Sequence, residues 1–443
     1  MALVVAHPKV RAARDTHPRA APIPAEWMSR QQPDSAQPWA EAGMSVSVVG
    51  CDCVAWLTVA CSPTALAGNI RYGRDPSHAA PGRSRGAAQV NGRRSRVTGT
   101  GPYSCVDGGG RVSLRRLGPN GPEVSALGLG CMGMSGMYGP ADRGESIATI
   151  GAALDAGLNL LDTGDFYGMG HNELLIAEAI RGRPRAEYML SVKFGAQRGP
   201  DGVWLGYDAS PPAVKTALAH SLTRLGVDYI DIYRPARLDP DVPIEETVGA
   251  IAELVQAGYV RYIGLSEVGA ETIRRAAAAH PICDVQIEYS LISRAIETAI
   301  LPACRDLGIA ITAYGVLSRG LISGHFAAER ELAAGDFRAQ APRFSAANRA
   351  HNLALVDSLR ALAEAREVTV AQIAIAWVLA QGPEIVALVG ARTTEQLREA
   401  LGAVQLELSP HDVAELERAV PRNAVVGDRY PAHQMSVLDS ERE

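Results

Sequence analysis

Short apolar runs alternate with longer amphipathic segments along residues 113–443, and the alternation recurs eight times. The runs are ALGLGCM, LNLLD, YMLSVK, DYIDIY, YVRYIGL, CDVQIEY, IAITAY and EIVALVG. Their length and near-continuous apolarity predict strands buried on both faces. Between two of them, Val214, Leu218, Leu222 and Leu225 recur at helical spacing and predict a stripe that faces a sheet. Asp142 with Glu145 and Thr369 with Gln372 predict capping boxes, while Gly157, Gly226, Gly258 and Gly382 are expected to stop their helices. Eight strand-then-helix units predict the α/β class, closed as a (β/α)8 TIM barrel. Just upstream, SLRRLGPNGPEVSAL alternates around Pro119-Asn120-Gly121, which predicts a β-hairpin.

Residues 1–112 have a different texture, rich in Arg, Pro, Gly, Ser and Ala without sustained periodicity. The expectation is a low-order extension, and, where translated, a disordered arm. One apolar run at 44–68 invites a signal-peptide reading, with Ala65-Leu66-Ala67 resembling a cleavage site. Asp52 interrupts that run, no basic start precedes it, and 43 residues lie upstream of it. A start codon assigned too far upstream, with translation beginning at Val112, is the plainer explanation. The organisation expected is therefore an extension over 1–112 and one barrel over 113–443.

A net charge of −5 offers no basic field for nucleic acid, which leaves small-molecule chemistry as the default. Seven cysteines form no C-x-x-C pair and have no histidine at ligand spacing, so neither zinc nor a disulfide framework is expected. Cys131, Cys283 and Cys304 sit among apolar residues and read as core side chains in a reducing cytoplasm. No membrane-spanning helix is expected in the body, and no heptad run speaks to oligomeric state.

Candidate chemistry lies where predicted strands end. Asp162 closes LNLLD, Tyr167 follows it in DTGDFY, and Lys193 closes YMLSVK. Adjacent parallel strands run about 4.8 Å apart, so an acid, a phenol and an amine can converge. The expectation is that the ammonium of Lys193 draws the Tyr167 phenol below its ordinary pKa of about 10, with Asp162 holding the lysine charged and aimed. Taken singly, Tyr167 reads as a loop tyrosine reaching water and Lys193 as an exposed strand-end lysine.

In order along residues 113–425, LGLGCMGM, LLDTGDFYGMGHNE, LSVKFG, SLTRLGVDYIDIY, LDPDVPIEETVGAI, GYVRYIGLSE, VQIEYSLISR, ITAYGVLSRGLISG and VALVGARTTEQLREAL resemble the landmarks of the aldo-keto reductases. The resemblance implies a barrel whose floor is plugged by the hairpin. It also implies hydride transfer from NADPH to the carbonyl of an aldehyde or ketone, with Tyr167 as proton donor tuned by Lys193 and Asp162. Ser266 and Gln286 match residues that bond the nicotinamide carboxamide, and Tyr314 matches the aromatic that stacks on its ring. Gly390 and Arg392 match the phosphate end, where Arg392 favours NADPH, and Gln396 stands where many relatives carry a second arginine. Glu267 replaces the common asparagine.

One family residue is missing. The active-site histidine of the fourth strand is Ala236 here, and losing one oyxanion donor costs about 3 kcal/mol, or roughly a hundredfold in rate. Arg234, two residues earlier and in the same strand phase, is a candidate substitute donor or carboxylate anchor. The alternative is that both arginines of this stretch, Arg234 and Arg237, pair with nearby acids such as Asp239 or Asp241. A second function class also follows from Ala236: a nicotinamide-binding sensor or regulatory subunit that turns over weakly.

Overall fold

The computed structural model describes residues 112–442 apart from 334, together with the backbone of 45–51 and 54–60. The chain divides into two units, Met1–Val97 and Thr98–Glu443. Within the first, Ser45–Cys51 and Val54–Ala60 pair antiparallel, from Ser45 opposite Ala60 to Cys51 opposite Val54. The apolar run thus forms a two-stranded hairpin; the other expectations for the extension fall outside the described residues.

In the second unit, all eight predicted runs are strands: β1 Leu127–Gly130, β2 Leu160–Gly164, β3 Met189–Phe194, β4 Ile230–Pro235, β5 Val260–Ser266, β6 Ile282–Glu288, β7 Ala310–Tyr314 and β8 Ile385–Val389. Each pairs in parallel with its sequence neighbour, and β8 pairs with β1 to close the barrel. Closure leaves no edge strand exposed, and every inward and outward face finds a partner. Helices follow the strands, among them Arg143–Asp155, Pro211–Leu225, Val370–Ala380 and Thr394–Gly402. No helix among the described residues is long and apolar enough to cross a membrane.

The punctuation is largely as expected. Val214, Leu218 and Leu225 are buried, and Leu222 packs partly buried on the same core. Thr369 and Gln372 form a reciprocal capping box. Asp142 accepts the Glu145 N–H, but the Glu145 carboxylate turns away to the Thr394 N–H and hydroxyl, tying the start of the last barrel helix to the first. Gly157, Gly226 and Gly258 adopt left-handed φ at helix ends. Gly382 does not: Val370–Ala380 is capped by Gln381, whose N–H donates to the Val378 carbonyl. Cys131, Cys283 and Cys304 are buried free thiols.

The upstream hairpin, Leu114–Arg116 paired with Glu123–Ser125, inserts Leu117 and Val124 among Leu160, Ile232, Cys283, Ala310 and Val386 at the barrel floor. Arg115 donates to the carbonyls of Gly382 and Leu379 and so pins the hairpin to the rim. Leu117 is fully buried. Leu117→Ala is expected to cost about 2–5 kcal/mol by lost burial and a cavity. Urea denaturation measures it, and a cost below about 1 kcal/mol would show that the hairpin does not seal the floor.

Candidate active site

At the opposite end of the barrel, the register sets Gly164 beside Lys193 and Asp162 beside Ser191. Lys193 Nζ donates to Asp162 Oδ1, and both side chains are 4% exposed. The second carboxylate oxygen accepts from Ser191 Oγ at 2.8 Å and from Gln286 Nε2 at 2.7 Å. Tyr167 follows β2 in a turn closed by its own N–H on the Gly164 carbonyl, and its ring centroid lies 5.2 Å from Lys193 Nζ. The three expected groups therefore converge, and all line one cavity of about 1000 Å³.

Their electrostatics differ from the expectation in one respect. Burial pushes the Tyr167 phenol well above its ordinary pKa, Asp162 and Tyr138 add to the rise, and Arg237 opposes it. The expected lowering is therefore not seen in the resting site: burial, with the Asp162 charge beside it, outweighs the nearby cations. Burial lowers the lysine's own pKa, against the pull of Asp162. At neutral pH the phenol carries its proton, the form a general acid needs.

Beneath this pair runs a second one. Arg234 Nη1 donates to Asp284 Oδ2 at 3.1 Å and to the Leu265 carbonyl at 3.3 Å, and Nη2 donates to Ser191 Oγ at 3.1 Å. Thr312 Oγ1 also donates to Asp284. The two ion pairs are thus bridged by one hydroxyl, Ser191. Gly264 allows the deeper pair to form, since a Cβ there would lie 2.7 Å from Asp284 Oδ1 and 2.9 Å from Arg234 Cζ.

Arg234 is therefore not a substrate donor. It is fully buried inside the barrel, lies outside the cavity lining, and pairs with Asp284, not with Asp239 or Asp241. Its strand phase faces it inward as expected, but its guanidinium turns down to Ser191 and Asp284, each two residues before a cavity-lining residue, Lys193 and Gln286. Ala236 is buried with its N–H on the Phe194 carbonyl, and the cavity-lining cation of this segment is its neighbour Arg237.

The remaining predicted residues line the same cavity. Ser266 is 1% exposed and its hydroxyl has no partner among the described residues. Gln286 spends its amide N–H on Asp162, which leaves its carbonyl as an acceptor. The Tyr314 hydroxyl is held by Glu267 at 2.7 Å and by Tyr430 at 2.8 Å, fixing the ring plane. Glu267 adopts φ 55° and binds Arg429 and Ser440 of the C-terminal tail. Burial works against its charge, but Arg429 holds the carboxyl well below the ordinary range. The asparagine-to-glutamate departure thus makes it an anchor for the tail.

At the far end, Gly390, Arg392 and Gln396 lie with Arg398 and Arg330 around the start of Thr394–Gly402. Arg392 bonds only carbonyls, of Tyr138 and Pro140, both at 3.3 Å. Gln396 Oε1 accepts the Arg392 N–H at 2.9 Å, so this side chain serves the helix start. A buried hydroxyl without a partner, an acceptor, a fixed aromatic ring and a cationic helix start fit a nicotinamide dinucleotide phosphate.

Several contributors were not read from the sequence. Asn172, in GHNE, accepts from Thr163 Oγ1 at 2.7 Å, donates to the Cys131 carbonyl at 2.8 Å and bonds the Tyr167 carbonyl through its N–H, clamping the loop that carries the phenol. Its polarity at a fixed offset from Asp162 was the available signal. Arg237, Arg198, Trp204 and Tyr430 left none. Asp165 is largely buried with one oxygen unpartnered, and burial, with Glu173 adding, pushes it up to about 7.

A family model described as "Aldo/keto reductase family" matches residues 126–421. The chain is 43% identical over 318 residues to "Probable aldo-keto reductase 1" of Glycine max, covering 71% of this chain and 91% of that protein. It is 39% identical over 325 residues to "Aldo-keto reductase yakc [NADP(+)]" of Schizosaccharomyces pombe, covering 72% and 95%. Among solved structures, it is similar to the glycerol dehydrogenase of Gluconobacter oxydans (TM-score 0.64, 29% identity, 70% and 96% covered). It is also similar to an aldo/keto reductase of Klebsiella pneumoniae in complex with NADP and acetate (TM-score 0.56, 28% identity, 71% and 98% covered).

Asp165 has a consequence for stability. Unfolded, its carboxyl releases its proton near pH 4; folded, near pH 7, so the folded state binds more protons between these values. Stability is therefore expected to fall as pH rises through that window, and Asp165→Asn to flatten the fall. Urea midpoints at several pH values check this, and parallel pH profiles for the two proteins would contradict it.

Proposed function

Because the chain belongs to the aldo/keto reductase family, we propose that it is a cytoplasmic NADPH-dependent reductase of aldehydes or ketones in which Tyr167 gives the proton. The observation that carries the reading is the buried Tyr167, Lys193 and Asp162 constellation on a cavity whose other end holds Arg392. Bound NADPH supplies the hydride. Ser266 and Gln286 would hold its carboxamide, Tyr314 its ring, and Gly390 with Arg392 its phosphate end. Gln396 caps the helix, so discrimination for the 2′-phosphate rests on Arg392 with Arg398 close by.

Tyr167 would pass its proton to the carbonyl oxygen of the substrate. Lys193 lies against the face of the phenol ring, so the negative charge that develops on the ring is met by a fixed cation. Asp162 fixes that cation's position, and Ser191 and Gln286 fix Asp162. A role as a sensor without turnover has less support, since a pure binder has no use for a buried proton donor set against a lysine.

Tyr167→Phe keeps the ring and removes the proton. NADPH consumption with a panel of aldehydes and ketones is expected to fall by a factor of about 100 or more, with cofactor affinity little changed. Undiminished turnover would refute the assignment. Arg392→Ala is expected to raise the KM for NADPH by about tenfold and that for NADH far less, as measured by steady-state kinetics with each cofactor. Equal changes for both would remove Arg392 from the 2′-phosphate.

A further inference from the structure

Beyond Tyr167, the cavity wall carries two guanidinium groups that a plain aldehyde leaves unused. Arg237 Nη1 donates to the Ala236 carbonyl at 2.6 Å and Nη2 to the Tyr430 hydroxyl at 3.4 Å, both neutral oxygens. Arg198 lies 5.4 Å from the Trp204 ring centroid, and its Nε is buried with no partner among the described residues. Neither guanidinium has an ion pair there. Other arginines of the same wall do: Arg319 pairs with Glu288 and Arg338 with Asp336. Both side chains are half-buried, and a half-buried cation without an acidic partner gains when an anion arrives.

The surroundings give that anion its carrier. Phe166 stands edge-on to Tyr167 at 4.7 Å between ring centroids and to Trp204 at 6.3 Å, and Trp204 meets Tyr207 at 5.4 Å. These rings make an apolar slot beside the phenol, suited to a flat body. With Ala236 in the place of the family histidine, the cation this strand end presents to the cavity is Arg237, whose field reaches the Tyr167 phenol.

We propose that the substrate is a carbonyl compound bearing a carboxylate on an aromatic or other apolar body, its carboxylate held by Arg237 with Arg198 at the slot's mouth. The inference rests on the reductase reading and deepens it. Arg237 is then the specificity-determining residue, and its fork of N–H donors suits a carboxylate in two-point contact.

Matched pairs test it. NADP-loaded protein is titrated with 4-(hydroxymethyl)benzoate and with its methyl ester, and NADPH consumption is followed with 4-carboxybenzaldehyde and methyl 4-formylbenzoate. The wild type is expected to favour the carboxylate member by about tenfold or more in both Kd and kcat/KM. Arg237→Met is expected to bring both ratios close to one, Arg237→Lys to restore part of them, and Arg198→Met, a milder change at the mouth, to lower them about threefold. Each ratio is internal to one variant, so general damage to folding or catalysis cancels. Wild-type ratios near one, or ratios unmoved by both methionine variants, overturn the proposal. If neither aldehyde consumes NADPH while the binding ratio stands and falls with Arg237, the reductase reading fails and the anion site is upheld.

Discussion

A charge pair sealed inside the barrel mouth is the constraint on which the rest of the site depends. Taking Lys193 and Asp162 out of water costs several kcal/mol per ion, a cost offset only if every remaining donor and acceptor is satisfied (~1–3 kcal/mol for each left open). Ser191 and Gln286 complete Asp162, and Ser191 in turn is held by Arg234, which Asp284 neutralises. The polar column is therefore one object, and neither pair can be loosened without stranding the other. It fixes the lysine against the Tyr167 ring, and the proposed proton donation by that tyrosine rests on this contact.

Much of this was legible in the chain. Eight buried strands each left a near-continuous apolar run, and closure of the barrel followed from their number and parallel order. The convergence of Asp162, Tyr167 and Lys193 was legible because they lie where barrel strands end, and those ends are marked by the change from apolar to polar. Arg234 shows where the method stops. Alternation tells which face a strand residue takes, not how deep in the barrel it lies, so a layer of structural charge and a layer of chemistry look alike. Past Pro235 the strand ends and alternation lapses, which hid Arg237. The phenol's raised pKa was likewise out of reach, since burial, with the Asp162 charge beside it, outweighs the cations nearby.

Long-range assembly was the other blind spot. Tyr430 reaches Arg237 and Tyr314 from a tail far downstream, brought there by Arg429 on Glu267. No local pattern announces such a strap. Its result is a cavity sorted by charge: Arg392 and Arg398 at one end, without acidic partners among the described residues, a paired lysine and aspartate in the middle, and Arg237 with Arg198 beside the aromatic rings. The same sorting explains why substituting the family histidine with Ala236 does not empty the site of positive charge.

The most direct measurement is the single-turnover rate of NADPH oxidation by an aldehyde in Lys193→Met beside wild type, with NADPH affinity measured on the same samples. If the buried cation readies Tyr167, the rate falls by about a hundredfold or more, roughly 3 kcal/mol, while NADPH binds within a few fold of wild type. A variant that binds NADPH and transfers hydride at the wild-type rate would contradict the account.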